Sequence, residues 1–335
     1  MSRPPEPRRS PATRFLMWVW VVLLLIAAAG WFLWRESPVQ SPPGARPGSE
    51  RQVWREWRSV LFRVSPPPTD DLPAPTASFV LGTLHFGNPD ELGLDLSGLR
   101  ARMAQSRVLV NEVDGDAPWD PAMDHYRVLD DAAGLPGLIG QASFTALQHL
   151  LPRIDEAWLT RLKPWVALAL LEARGETVSE QTLDRRVEIW AADLRLPVVH
   201  LETLQEQLAA LDCVPPQEHA LVLQERLRSP QLFESQPAQV LTYYRTRNLA
   251  AWLDEIDAMD GLSADARAIE GRARGCLIEA RNERWLGKLD DLLRQGGVFV
   301  AVGAIHLTGQ AGLLERLRQR GFEIVAESVE VPGRV

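Results

Sequence analysis

Two cysteines in 335 residues, Cys213 and Cys276, are too few for a disulfide scaffold or a cysteine-rich zinc module. Positive charge is also short. The chain has 36 lysines and arginines against 44 acidic residues, a net charge of -8, so it lacks the basic field that draws proteins to nucleic acid. There is no H-E-x-x-H, no G-x-S-x-G and no glycine-rich phosphate loop, so a zincin, an α/β-hydrolase and a P-loop enzyme all lack their signatures. Disorder is excluded by a hydrophobic content of 46%. What remains is an ordinary globular composition, long enough for one large domain or two small ones and for a full core. The two cysteines could pair outside the cytoplasm or remain free and buried, since spacing alone does not give their separation.

The charge is unevenly spread. Residues 1–14 carry four arginines against Glu6, and residues 35–68 carry six arginines against three glutamates, a net +3 in each. The rest of the chain therefore carries -14, which keeps it soluble and away from phosphate backbones. Between the basic segments, residues 15–34 contain no charge. Twenty residues at about 1.5 Å each span a hydrocarbon core of roughly 30 Å, so this run is expected to be a transmembrane helix with tryptophans near both interfaces. Arginines ahead of it predict a cytoplasmic N-terminus (residues 1–14), with everything after the run outside the cytoplasm. The alternative is a cleaved signal peptide, with Ala27 to Ala29 as the small-residue site.

Residues 35–75 form a Pro-rich linker containing one amphipathic stretch. RQVWREWRSVLFRV places Val53, Trp57, Val60 and Val64 on one face of a helix, which would lie on the membrane surface or dock on the folded part. SPPPTDDLPAPT then breaks the chain, placing the start of the main domain near residue 76 and giving it residues 76–335.

SFVLGTLHF and RVLVNEVD read as buried strands joined through a helix at LSGLRARMAQS. VFVAVGAIH, AGLLERLRQRG and FEIVAESVE repeat that order at the far end, with Gly321 closing the helix. Phe79 to His85 aligns with Val300 to His306 as an internal repeat, and Glu112 and Glu327 hold the same place in the two copies. Residues 119–295 are mostly helical in pattern, broken by LPVVHLET as a short strand feeding a helix near Thr203. The expected class is therefore α/β (α+β): a mixed central sheet from two related strand-helix-strand halves, with a large helical insertion.

Each copy carries G-x-x-H at a strand end, where glycine permits a sharp turn and the histidine projects into the crevice beyond the sheet. His85 and His306 could thus share one ion, and Glu112, on the strand expected to neighbour the first copy, would complete a nitrogen and oxygen donor set. Asp114 and Asp116 follow as ligand, supporting group or turn residues. A single histidine in such a place is more often structural; two in matched contexts argue for a shared site. His125, His149 and His219 have no partner at ligand spacing, and His200 beside Glu202 is a lesser candidate for the crevice.

These segments resemble the TraB/GumN family, related to the Tiki membrane-anchored metalloproteases. The likeness rests on GTLH (Gly82 to His85), NEVD with Glu112, KPW (Lys163 to Trp165), LET with Gln207, Arg281-Asn282, and VGAIHLTGQAGLLERLRQRGFEI, across about residues 78–327. It implies a divalent-metal site, manganese or cobalt with zinc as the alternative, on His85, His306 and Glu112. It also implies hydrolysis of a peptide or protein substrate and, through a Gram-negative source, a single-pass inner-membrane protein with its domain in the periplasm. Glu112 cannot easily be both ligand and general base, so Glu202 is a second candidate for either role. Arg281 would face a developing oxyanion or a substrate carboxylate, and Asn282 would orient a ligand; helix-capping or salt-bridge roles are the alternatives. A tethered binding protein using the same crevice, or an envelope polysaccharide accessory, is the competing functional class.

Overall fold

The computed structural model describes residues 52–67, 76–173 and 182–330. The expected anchor, its basic flank and most of the linker lie outside these residues. Among the described residues no helix is long and apolar enough to cross a membrane.

Six strands form one sheet: β1 (Leu61–Ser65), β2 (Ser78–Thr83), β3 (Val108–Asn111), β4 (Val198–His200), β5 (Val298–Gly303) and β6 (Glu323–Glu327), in the spatial order β4-β3-β5-β2-β1-β6. The four strands from β4 to β2 run parallel, and β1 is antiparallel to both β2 and β6. β5 is central and buried along its whole length, which is why VFVAVG reads as an unbroken apolar run rather than an alternation. Helix α1 (Leu96–Met103) links β2 to β3. The segment from β3 to β4 adds α2 (Gly134–Ile139), α3 (Gln141–Leu150), α4 (Glu156–Arg161), α5 (Pro164–Glu172) and α6 (Leu183–Leu194). From β4 to β5 come α7 (Leu204–Leu211), α8 (Pro216–Leu227), α9 (Gln231–Arg245), α10 (Leu249–Ala258), α11 (Ala264–Arg274) and α12 (Arg281–Gln295). Helix α13 (Leu313–Gln319) precedes β6.

The structure corrects three expectations. The described part of the stretch, residues 52–64, is no amphipathic helix: it is a 3-10 turn at Val53–Arg55 followed by β1. Leu61, Phe62 and Val64 are all buried because β1 has strands on both sides, and the sheet thus takes in residues ahead of 76. The two halves are also not equivalent. β3 lies parallel to β5, whereas β6 lies at the opposite edge, antiparallel to β1. Glu327 accordingly faces Arg63, Nε to Oε1 3.1 Å, and has no counterpart role to Glu112. Finally, β3 does not neighbour β2, because β5 inserts between them. That insertion brings the strand after the long helical region into contact with both strands of the first unit, and the ends of β2, β5 and β3 meet there.

Other readings hold in detail. Thr203 caps α7 through a reciprocal box with Glu206. Gly321 takes φ +88° after α13, a conformation glycine adopts freely. The KPW segment opens α5, where Trp165 is fully buried with its indole N–H on Tyr126 O at 2.9 Å and Lys163 pairs with Asp212 at 2.6 Å. Cys213 and Cys276 form a disulfide, joining the end of α7 to the π-helical turn Gly275–Ala280 that leads into α12.

Candidate functional site

β2 and β5 run side by side, with Gly82 beside Val302 and Thr83 beside Gly303. The two histidines therefore leave adjacent strand ends, one residue out of step. Close approach requires both glycines. A Cβ on Gly82 would stand 2.9 Å from the Ala304 backbone, and one on Gly303 would stand 3.3 Å from both Glu112 Oε1 and His85 Nε2 and 3.5 Å from His306 Cδ2. Glu112, His85 and His306 thus converge around the Cα of Gly303.

Each imidazole is held at Nδ1. Asp184, at the start of α6, places Oδ2 3.0 Å from His85 Nδ1 and accepts Thr83 Oγ1–H at Oδ1 over 2.6 Å. Asn282 donates its amide to His306 O at 3.1 Å and Ala311 O at 3.0 Å, so its Oδ1 faces His306 Nδ1 at 2.8 Å as an acceptor. In both rings the Nδ1 proton is engaged, leaving Nε2 as the nitrogen for other work. The two rings titrate differently. Burial, opposed only in part by Glu112, pushes His306 down to about 3. Burial also depresses His85, but Asp184 and Glu112 together outweigh it and the net shift is upward.

Arg281, the first residue of α12, organises the carboxylates. It donates from Nη2 to Glu112 Oε2 and Glu202 Oε1, each at 2.6 Å, from Nε to Glu202 Oε1 at 2.9 Å, and from Nη1 toward His306 Nε2 at 3.2 Å. Its guanidinium also lies over the Trp285 ring, 4.6 Å from the centroid. Glu112 accepts Gly303 N–H at 2.7 Å on its other oxygen. Burial would raise its pKa, yet Arg281 above all holds it down at about 2. Glu202 is raised by burial despite Arg281, and its second oxygen accepts Trp285 Nε1–H at 3.2 Å. All four groups, Glu112, Glu202, Arg281 and Asn282, are buried with His306.

The structure brings His85, Glu112, His306, Arg281, Asn282 and Glu202 into one cluster. Glu202 joins it through Arg281, through Trp285 and through its backbone N–H, which donates to Glu112 O at 2.9 Å. Asp114 accepts the Asp116 backbone N–H in a turn, and Asp116 pairs with Arg185 at 3.3 Å, both exposed. His200 binds Asn111 Oδ1 at 2.6 Å beside the cluster. Asp184 and Thr83 are the members that the sequence pattern did not reveal. Asp184 is one of several acids in an amphipathic helix, and only the packing of α6 over the strand ends distinguishes it.

Among the described residues, no three His, Cys, Asp or Glu side chains form a group that could hold an ion as they stand. The donor chemistry nevertheless fits a divalent cation, with two Nδ1-anchored imidazoles and one ionised carboxylate around one glycine. Arg281 engages two of those three donors, so it competes electrostatically with any cation there. Neither the curated proteins nor the solved structures contain a match to the chain. The family model described as TraB/PrgY/gumN matches residues 71–326, which take in the whole cluster, and the chain belongs to that family.

Proposed function

We propose that the chain is a membrane-anchored, divalent-metal-dependent hydrolase, a peptidase acting on peptides or proteins outside the cytoplasm. The observation that carries this reading is the convergence of His85, His306 and Glu112 at Gly303, with a dedicated side chain on each Nδ1. His85, His306 and Glu112 would hold manganese or cobalt, or alternatively zinc. Such an ion supplies Lewis acidity to a substrate carbonyl and to water.

The protein's own groups account for the rest. Asp184 and Asn282 hold the imidazoles in orientation. Arg281 presents a permanent positive charge beside Glu112, suited to a developing oxyanion or a substrate carboxylate. Glu202, with Trp285 behind it, fixes the guanidinium. Its raised pKa brings it nearer the range of a proton acceptor. The uncharged run at 15–34, the arginines before it and the Cys213–Cys276 disulfide all support placement of the domain in an oxidising compartment, the periplasm.

A second reading is favoured by one observation. Arg281 saturates the carboxylates, an arrangement that suits a tethered binding protein capturing a peptide without cleaving it. One experiment separates the two. The full-length chain, loaded with manganese, cobalt or zinc, is incubated with a mixed peptide library and the products are read by mass spectrometry. The hydrolase reading predicts new termini that vanish on chelation and in His85→Ala. Intact peptides, retained equally with and without metal, would establish the binder instead.

A further inference from the structure

Arg281 makes two sets of contacts. Toward the candidate donors it gives Nη2–H to Glu112 Oε2 at 2.6 Å and Nη1–H to His306 Nε2 at 3.2 Å. Away from them, Nε and Nη2 both rest on Glu202 Oε1, at 2.9 and 2.6 Å, Nη1 reaches Leu277 O at 3.3 Å, and the guanidinium lies over Trp285. With its Nδ1 proton on Asn282 Oδ1, His306 presents a lone pair at Nε2, so the imidazole and the Glu112 carboxylate offer electron pairs to the same cation. His85 Nε2 is not among the acceptors of Arg281, and the His85 side chain, 14% exposed, is the least buried of the three donors.

Glu202 is fixed by other groups as well. Its Oε2 accepts Trp285 Nε1–H at 3.2 Å, its backbone N–H donates to Glu112 O at 2.9 Å, and the partly exposed Arg284 stands 3.6 Å away. The guanidinium can therefore give up Glu112 and His306 and still hold a buried carboxylate through two hydrogen bonds. Glu112, by contrast, has no ion pair but the one with Arg281 among the described residues, and it shares that guanidinium with Glu202. A second cation at Glu112 would give each buried carboxylate its own counter-charge. We infer that Arg281 is a displaceable cation: its guanidinium and a divalent ion are alternative occupants of Glu112 and His306, and Glu202 is the carboxylate that keeps Arg281 when the ion enters beside His85.

This exchange rests on the metal-site reading above and adds regulation to it: the ion is taken up only as Arg281 lets go of two donors. Glu202 thereby acts on ion affinity through Arg281, as a positioning residue rather than a ligand.

Calorimetric titration of the full-length chain with manganese, cobalt and zinc, in a double-mutant cycle of Arg281→Met and Glu202→Gln, tests the exchange. Arg281→Met should bind the ion at least about tenfold more tightly than the wild type, the scale of one released charge-assisted hydrogen bond. Glu202→Gln should weaken binding about tenfold in the wild-type background, because Arg281 then has no other carboxylate to keep, and by less than about threefold in the Arg281→Met background. In the wild-type chain carrying isotope-labelled arginine, zinc should shift the Arg281 Nε–H resonance, a readout that needs no variant to fold. Binding by Arg281→Met alone, with none by the wild type, would also bear the exchange out. An ion bound by the wild type with the Arg281 resonance unmoved, or bound no more tightly by folded Arg281→Met, overturns the exchange and leaves the metal site standing. No ion bound by the wild type or by any folded variant overturns the metal site and the exchange with it.

Discussion

Arg281 balances two buried carboxylates at once. It is buried with Glu112 and Glu202 as its counter-charges, so Arg281→Met strands two carboxylates away from water. A loss of about 3–5 kcal/mol is expected from breaking such a buried pair, measured by urea denaturation at pH 7. A change below about 1 kcal/mol, the scale of an exposed pair, would mean that the guanidinium is not the partner described here. Acid stability follows from the buried histidines. Folded His306 sits at about 3 and folded His219 at about 4, both depressed by burial from 6.5. As pH falls below about 6.5 the unfolded chain takes up these protons first, so stability declines by up to about 1.4 kcal/mol per pH unit per histidine. Glu112, held at about 2 against 4.5, adds a further loss below about pH 4.5 as its folded-state ionisation is overcome. Denaturation of the wild type beside His219→Gln at pH 7, 6 and 5 isolates one histidine's share from the buried carboxylates, such as Glu202 and Glu270, whose raised pKa acts in the opposite sense. The wild type should lose stability relative to the variant as pH falls, and a constant difference would refute the assignment.

Continuous apolar runs are legible in the sequence: β2, β3, β5, α1 and α13 stand where the runs and caps put them, as does the short strand before Thr203, although that strand is an edge strand and only partly buried. β1 is not legible. Val53, Trp57, Val60 and Val64 repeat at helical spacing, and tertiary pairing on both edges overrode that pattern in favour of a strand. The pairing order was also hidden, because a repeat in sequence does not say which strand inserts between which. The candidate residues were legible through strand-end glycines and histidines, while Asp184 required the packing of α6 to be seen. At this scale the disulfide matters to the site: Cys276 lies in the turn that delivers Arg281. Closing a loop with a sequence separation of 63 is worth up to about 4 kcal/mol by chain entropy. Cys213→Ala with Cys276→Ala should lower stability by about 2–4 kcal/mol in denaturant titration, and an unchanged midpoint would contradict that contribution.

Two strands far apart in the sequence, β2 and β5, lie side by side at the centre of one sheet. β2 and β5 are parallel neighbours separated by the entire helical region, and the buried cluster of His85, Glu112 and His306 forms where their ends meet. The two G-x-x-H segments would then make one metal site rather than two. Metal analysis of the purified full-length chain after loading with manganese, cobalt or zinc, beside His85→Ala and His306→Ala, distinguishes these outcomes. One shared site gives about one ion per chain in the wild type and loss of that ion in both folded variants. No retained ion in the wild type, or an ion that survives in both variants, would contradict it.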